Sequence, residues 1–195
     1  MTQKYILSFD CGTTAVKAVL INFEGQVICN AKAEYPLIQL QPGWAEQDPD
    51  QLWNAICKTS KNAVAKAGIS PDQIIALVYA APWKNIIPVD AAGNVLRNSI
   101  IWMDARASAQ AERLNLAAGF FVGTGQEYWP RLMWVKENEP EIWEKAEVIM
   151  GLNTYFKWKT TGQIATEPSD DFFHSSNPTL QATYEKIIKA AGLEG

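Results

Sequence analysis

Phe9-Asp10-Cys11-Gly12-Thr13-Thr14 stands between two short apolar runs, YILSF at 5–9 and VKAVLI at 16–21. Both runs are rich in β-branched and aromatic residues, so the spacing predicts a hairpin with D-C-G-T-T at its tip. A glycine there lets main-chain N–H groups approach an anion, and the threonines add hydroxyl donors. The carboxylate of Asp10 beside them suits magnesium, which takes one or two carboxylates plus water and substrate phosphates. Gly12, Thr13 and Thr14 thus form a candidate phosphate-binding turn, with Asp10 as the candidate metal ligand. The same residues are also what ordinary turns use for local hydrogen bonds, and the string is not a Walker loop, since nothing in the chain fits G-x-x-x-x-G-K-[ST].

Composition narrows the classes. A chain of 195 residues with 48% hydrophobic residues can bury a full core, and one large domain is the simplest expectation. The 17 basic against 21 acidic residues leave no basic stripe, which argues against nucleic acid as a partner. Cys11, Cys29 and Cys57 have no metal-ligand spacing, and His174 is the only histidine, so neither a disulfide framework nor a zinc site is expected. With no signal core and no run of about 18 apolar residues, the expectation is a soluble cytoplasmic chain without membrane partners.

Further along, VICNAKA at 27–33 extends the hairpin into an antiparallel meander. Asp48, Pro49 and Gln51 then read as N-cap, first helical residue and capping-box partner of a helix stopped by Gly68. Trp53, Ile56, Cys57, Ser60, Val64 and Ala67 supply its apolar face. IIALVYAA at 74–81 reads as a strand buried on both faces. A second hairpin is expected over 86–89 and 95–102, helices over 105–116, 130–138, 140–146 and 153–160, and a short strand at 148–150.

Five strings occur in order: D-C-G-T-T-A-V-K from Asp10, G-W-A-E-Q-D-P from Gly43, I-I-W-M-D-A-R from Ile100, L-M-W-V-K-E-N-E-P-E from Leu132 and W-K-T-T-G from Trp158. Any one of them is compatible with a purely structural role. Together the sequence closely resembles the amino-terminal domain of the FGGY carbohydrate kinases, and W-M-D-A-R leans towards their xylulokinase-like branch. The resemblance implies an α/β, actin-like and ribonuclease-H-like fold, with a mixed sheet flanked by helices. It also implies transfer of the ATP γ-phosphoryl group to a hydroxyl of a sugar or polyol, with Mg2+ held through Asp10 and the phosphate path lined by Gly12, Thr13 and Thr14. Lys17 stands where a basic residue is common in the family, facing either phosphate or solvent.

On the acceptor side, the resemblance assigns Trp102 to the carbon face of the substrate, the alternative being a core residue. Asp104 is a candidate acceptor of sugar hydroxyls, and Arg106 a partner for a carboxylate. Trp83 and Lys84 stand where glycerol kinase carries Arg-Glu and xylulokinase Met-His, so a different recognition loop is expected and glycerol is disfavoured. A ketopentose such as xylulose leads; an aldonic acid such as gluconate is the alternative because of Lys84, and a sugar-binding pseudokinase is the other. Tyr128 is a further substrate-contact candidate. The general base and the adenine pocket are expected in a carboxy-terminal domain beyond this chain, so residues 1–195 alone should not turn over, and a homodimer is left open.

Overall fold

The computed structural model describes residues 3–194. In chain order the elements are β1 (Tyr5–Cys11), β2 (Ala15–Asn22), β3 (Val27–Glu34), β4 (Glu46–Gln47), α1 (Pro49–Ala67) and β5 (Ile74–Ala80). There follow β6 (Ile87–Val89), β7 (Ser99–Ile100), α2 (Ser108–Ala118), α3 (Tyr128–Asn138) and α4 (Pro140–Lys145). The last are β8 (Val148–Met150), α5 (Leu152–Thr161) and α6 (Pro178–Ala191). The described residues form two compact units, one of residues 3–37 and 48–82, the other of residues 38–47 and 83–194.

Alternation builds the first unit. In β1 every second residue from Tyr5 to Cys11 is buried, and in β2 so are Val16, Ala18, Leu20 and Asn22. The antiparallel register sets Leu7 opposite Leu20 and Phe9 opposite Ala18, so one face of the pair is apolar. The other face then carries Asp10 opposite Lys17. β3 extends the meander beyond β2, and β5 lies parallel to β1, giving the mixed order β3-β2-β1-β5.

Helix α1 covers the apolar face over β2 and β3, where Cys29 Sγ donates to the carbonyl of Ala63 at 3.3 Å. Its buried stripe is Leu52, Ala55, Ile56, Thr59 and Ala63. Trp53, Cys57, Ser60, Val64 and Ala67, expected on that stripe, are half-buried on its flank, because the close approach to β3 selects the small Ala55, Thr59 and Ala63 over bulky Trp53. Asp48 caps the helix by accepting from the N–H groups of Asp50 and Gln51, and Gly68 ends it at φ 65°. The expected capping box is only half made: Gln51 Nε2 donates to the Asp48 carboxylate at 3.1 Å instead of accepting from the Asp48 main chain. Asp48→Ala is expected to lower stability by about 1 kcal/mol. A urea midpoint that falls with unchanged slope is the signature, and an unmoved midpoint would remove the cap from the account.

β5 is not the doubly buried strand expected. It is an edge strand, and Ile75, Leu77 and Val78 are exposed by 54%, 42% and 49%. Among the described residues only β1 pairs with it, and α1 sits over β2 and β3, leaving a groove of about 600 Å³ lined by Val64, Ile74 and Leu77.

The second unit is held by a core of Ile86, Ile100, Leu114, Leu132, Val135 and Ile187, with Phe172 and aromatic residues of α3. β6 pairs antiparallel with β8, and β7 with β4. The expected second hairpin survives as scattered bonds: Ile86 and Ile100 exchange both main-chain hydrogen bonds, at 3.0 and 3.2 Å. Helix α2 starts at Ser108 rather than 105, and the Ala105 N–H donates to the Gly43 carbonyl at 2.8 Å. Pro140 separates α3 from α4, as its missing N–H requires.

Candidate functional site

The turn after β1 is tight and tied down. Gly12 N–H donates to the Ala15 carbonyl at 2.9 Å, and a Cβ on Gly12 would come within 3.3 Å of that same oxygen. Tyr35, at the exit of β3, fastens it twice: its hydroxyl donates to the Gly12 carbonyl at 2.5 Å and its N–H to the Thr14 carbonyl at 3.0 Å. Burial drives the Tyr35 phenol pKa upward, so the hydroxyl stays a donor at neutral pH. The sequence had not singled out Tyr35, which lies 23 residues from Gly12. Thr14 is exposed and Thr13 half-buried.

Asp10 and Lys17 are neighbours across β1 and β2, exposed, with Lys17 Nζ 4.0 Å from the carboxylate. An exposed pair at that distance holds little energy, so the carboxylate is open to a stronger partner. Among the described residues no cluster of three or more His, Cys, Asp or Glu forms a protein-only metal cage. A single exposed carboxylate beside two threonines is the donor set that fits magnesium carried on a phosphate. Cys11, between them in sequence, is buried, and burial first and Asp10 second push its thiol up to about 12, which removes it as a nucleophile.

The acceptor-side candidates belong to the second unit. Trp83 and Trp102 are 53% and 44% exposed, so Trp102 is not a core residue. Lys84 has φ 63°, unlike every other non-glycine among the described residues. Its ammonium donates to Glu127 Oε2 at 2.5 Å and lies 4.1 Å from the Trp83 ring centroid. Its N–H donates to Asp170 Oδ1 at 3.4 Å, and its carbonyl accepts from Arg131.

One assignment needs correction. Asp104 is fully buried, and its oxygens already accept four bonds: from the N–H of Ala45 at 2.6 Å and from the Arg106 N–H, Nε and Nη2 at 3.0, 2.9 and 2.8 Å. A carboxylate has about four such acceptor positions, so none is left for a sugar hydroxyl. Asp104 instead braces Arg106, which also donates to Glu46 at 2.7 Å and carries the Trp44 ring 3.8 Å from its guanidinium carbon. Glu46 in turn takes Arg97, whose other nitrogen donates to Glu139 at 2.6 Å. Tyr128 is also buried, stacked on Phe172 with ring centroids 4.7 Å apart, and burial raises its phenol pKa. It packs the core beside a cavity of about 500 Å³ that Asn85 and Asp170 also line. His174 is an exposed partner of Asp171 at 3.2 Å, as a solitary histidine leads one to expect.

A mixed sheet that opens with an antiparallel meander and carries D-C-G-T-T at its first hairpin defines an actin-like ATPase fold. The chain belongs to the FGGY family of carbohydrate kinases, whose N-terminal domain it matches over residues 5–171. It is 30% identical over 182 residues to a xylulose kinase of Bacillus subtilis, covering 86% of this chain and 35% of that protein. It is 29% identical over 179 residues to a glycerol kinase of Thermococcus gammatolerans, covering 86% of this chain and 36% of that one. The crystal structure of a xylulose kinase from Rhodospirillum rubrum superposes with a TM-score of 0.80 over 93% of this chain and 41% of that chain, at 22% identity, a likeness of fold. The chain therefore spans about a third of the length of the curated relatives it matches. No helix among the described residues is long and apolar enough to cross a membrane.

Proposed function

We propose that the full-length protein is an ATP-dependent kinase of a neutral ketopentose such as xylulose. In this reading residues 1–195 are its amino-terminal, acceptor-side part, and a carboxy-terminal domain supplies the adenine pocket and general base. The carrying observation is the neutralised Lys84. Its side chain is 15% exposed and its ammonium is held by Glu127, so a ligand carboxylate meets a compensated charge and the repulsion of Glu127 itself. That speaks against an aldonic acid, the acceptor for which a lysine at this place is otherwise suited. The exposed faces of Trp83 and Trp102 suit sugar C–H groups.

On the phosphate side, Asp10 would hold Mg2+, and the Gly12 to Thr14 turn would receive the transferred group. The metal supplies charge neutralisation on the phosphates. Lys17, beside Asp10 on the open face, would add a further positive charge once a phosphate is present.

The test is ADP release by the full-length protein with xylulose, ribulose, gluconate and glycerol, for wild type and Glu127→Gln. Xylulose or ribulose should lead in the wild type. Freeing the Lys84 charge in Glu127→Gln should raise kcat/KM for gluconate relative to xylulose about tenfold. A wild type that prefers gluconate defeats the neutral-acceptor reading, and one silent on every sugar points to sugar binding without transfer.

A further inference from the structure

We propose that Arg131 is the positioning residue of the acceptor site: its one buried guanidinium fixes the Trp83-Lys84 loop and the Ile101-Trp102 segment to each other through their main-chain carbonyls. Arg131 has zero exposure. A guanidinium so placed ordinarily pairs with a carboxylate, yet its hydrogen bonds all go to carbonyl oxygens. Nη2 donates to Lys84 O at 2.7 Å, Nη1 to Ile101 O at 2.6 Å and to Ile100 O at 3.4 Å, and Nε to Glu127 O at 3.1 Å. Burial brings its pKa down to about 10, so it remains charged at neutral pH.

The three segments it joins are the ones that present the exposed side chains. Lys84 O belongs to the loop carrying Trp83, Ile101 O immediately precedes Trp102, and Glu127, which neutralises Lys84, sits at the N-terminus of α3 one turn before Arg131. The planar fork with five donors reaches carbonyls in divergent directions, which lysine with a single ammonium does not. The loop also needs such a clamp. Lys84 is held at φ 63°, a conformation disfavoured for a side-chain-bearing residue that persists where the surroundings over-determine it. Main-chain bonds to Arg131 and Asp170 and the ion pair to Glu127 are those surroundings.

This inference rests on the acceptor-site reading above, and its test separates the two. In the full-length protein, Arg131→Met and Arg131→Lys are compared with wild type by steady-state kinetics and by limited trypsin digestion, after circular dichroism has shown each variant folded. Arg131→Met is expected to raise the sugar KM at least about tenfold with the ATP KM unchanged, and Arg131→Lys to recover part of the loss. Trypsin should cut after Lys84 in Arg131→Met and leave that bond intact in wild type, where Lys84 is 15% exposed and ion-paired. A lower unfolding midpoint with the sugar KM and the Lys84 cleavage both unchanged would make Arg131 a plain core residue and overturn the proposal. Should the wild type phosphorylate no sugar, the kinase reading fails and the cleavage result alone decides the clamp. Should Arg131→Met not fold, Arg131→Lys decides it by the same two readouts.

Discussion

Replacing Asp10 by alanine in the full-length protein is expected to lower kcat for phosphoryl transfer by about a thousandfold, with stability unchanged. The magnitude is that of removing one preorganised electrostatic contact to a reacting group, about 10² to 10³ in rate, joined here to weakened metal binding. Stability should be spared because the side chain points to the open face, 70% exposed, and its ion-pair neighbour among the described residues is Lys17 at 4.0 Å. The pairing of β1 with β2 is a main-chain ladder that alanine keeps. Single-turnover assays at saturating sugar, with Mg2+ titrated, separate the two parts of the effect. If the variant retained more than about a tenth of the wild-type kcat, Asp10 would not be the metal ligand, since loss of an oxyanion-type contact costs at least a hundredfold.

Arg106→Met is expected to produce the largest loss of stability, about 3–5 kcal/mol, because it leaves the buried Asp104 carboxylate without its charged partner and takes one of two arginines from Glu46. Asp104 has no exposure and Glu46 4%, so water does not replace the missing donors. Arg97 still reaches Glu46, but Asp104 keeps only the Ala45 N–H and the main-chain N–H of residue 106. The Trp44 ring also loses the cation packed on its face. Guanidinium chloride unfolding reads the loss. The double variant Arg106→Met with Asp104→Asn should regain part of it, since the stranded charge is then removed. A cost below about 1 kcal/mol, the level of an exposed ion pair, would show that the buried network contributes little to the fold.

What sequence discloses here follows from range. The β1–β2 hairpin, the Asp48 cap, Pro49, Gly68 and the break at Pro140 are set by neighbours within a few residues, and each is found where local chemistry puts it. The burial of β5 is not local: IIALVYAA reads the same in a central strand and at an edge, and only the pairing order decides. Helical spacing places the apolar face of α1 on Trp53, Ile56, Cys57, Ser60, Val64 and Ala67, whereas the buried stripe is Leu52, Ala55, Ile56, Thr59 and Ala63. In the site, Trp83 and Trp102 are exposed as a ligand-facing role requires, but Asp104 is not. Its residue type announces an acceptor without showing that Arg106 and the Ala45 N–H have already filled it. Glu127 lies 43 residues from Lys84, and Arg131 lies 47 from it, so the neutralised lysine and its clamp exist only in three dimensions.

Cys11 gives the first unit an internal clock. Its sulfur is sealed beneath the sheet with a thiol pushed up to about 12, while Cys29 and Cys57 are partly accessible. An alkylating reagent at neutral pH therefore meets almost no Cys11 thiolate until the packing over that face opens. The rate at which that one sulfur is consumed counts how often the packing over this face of β1 opens.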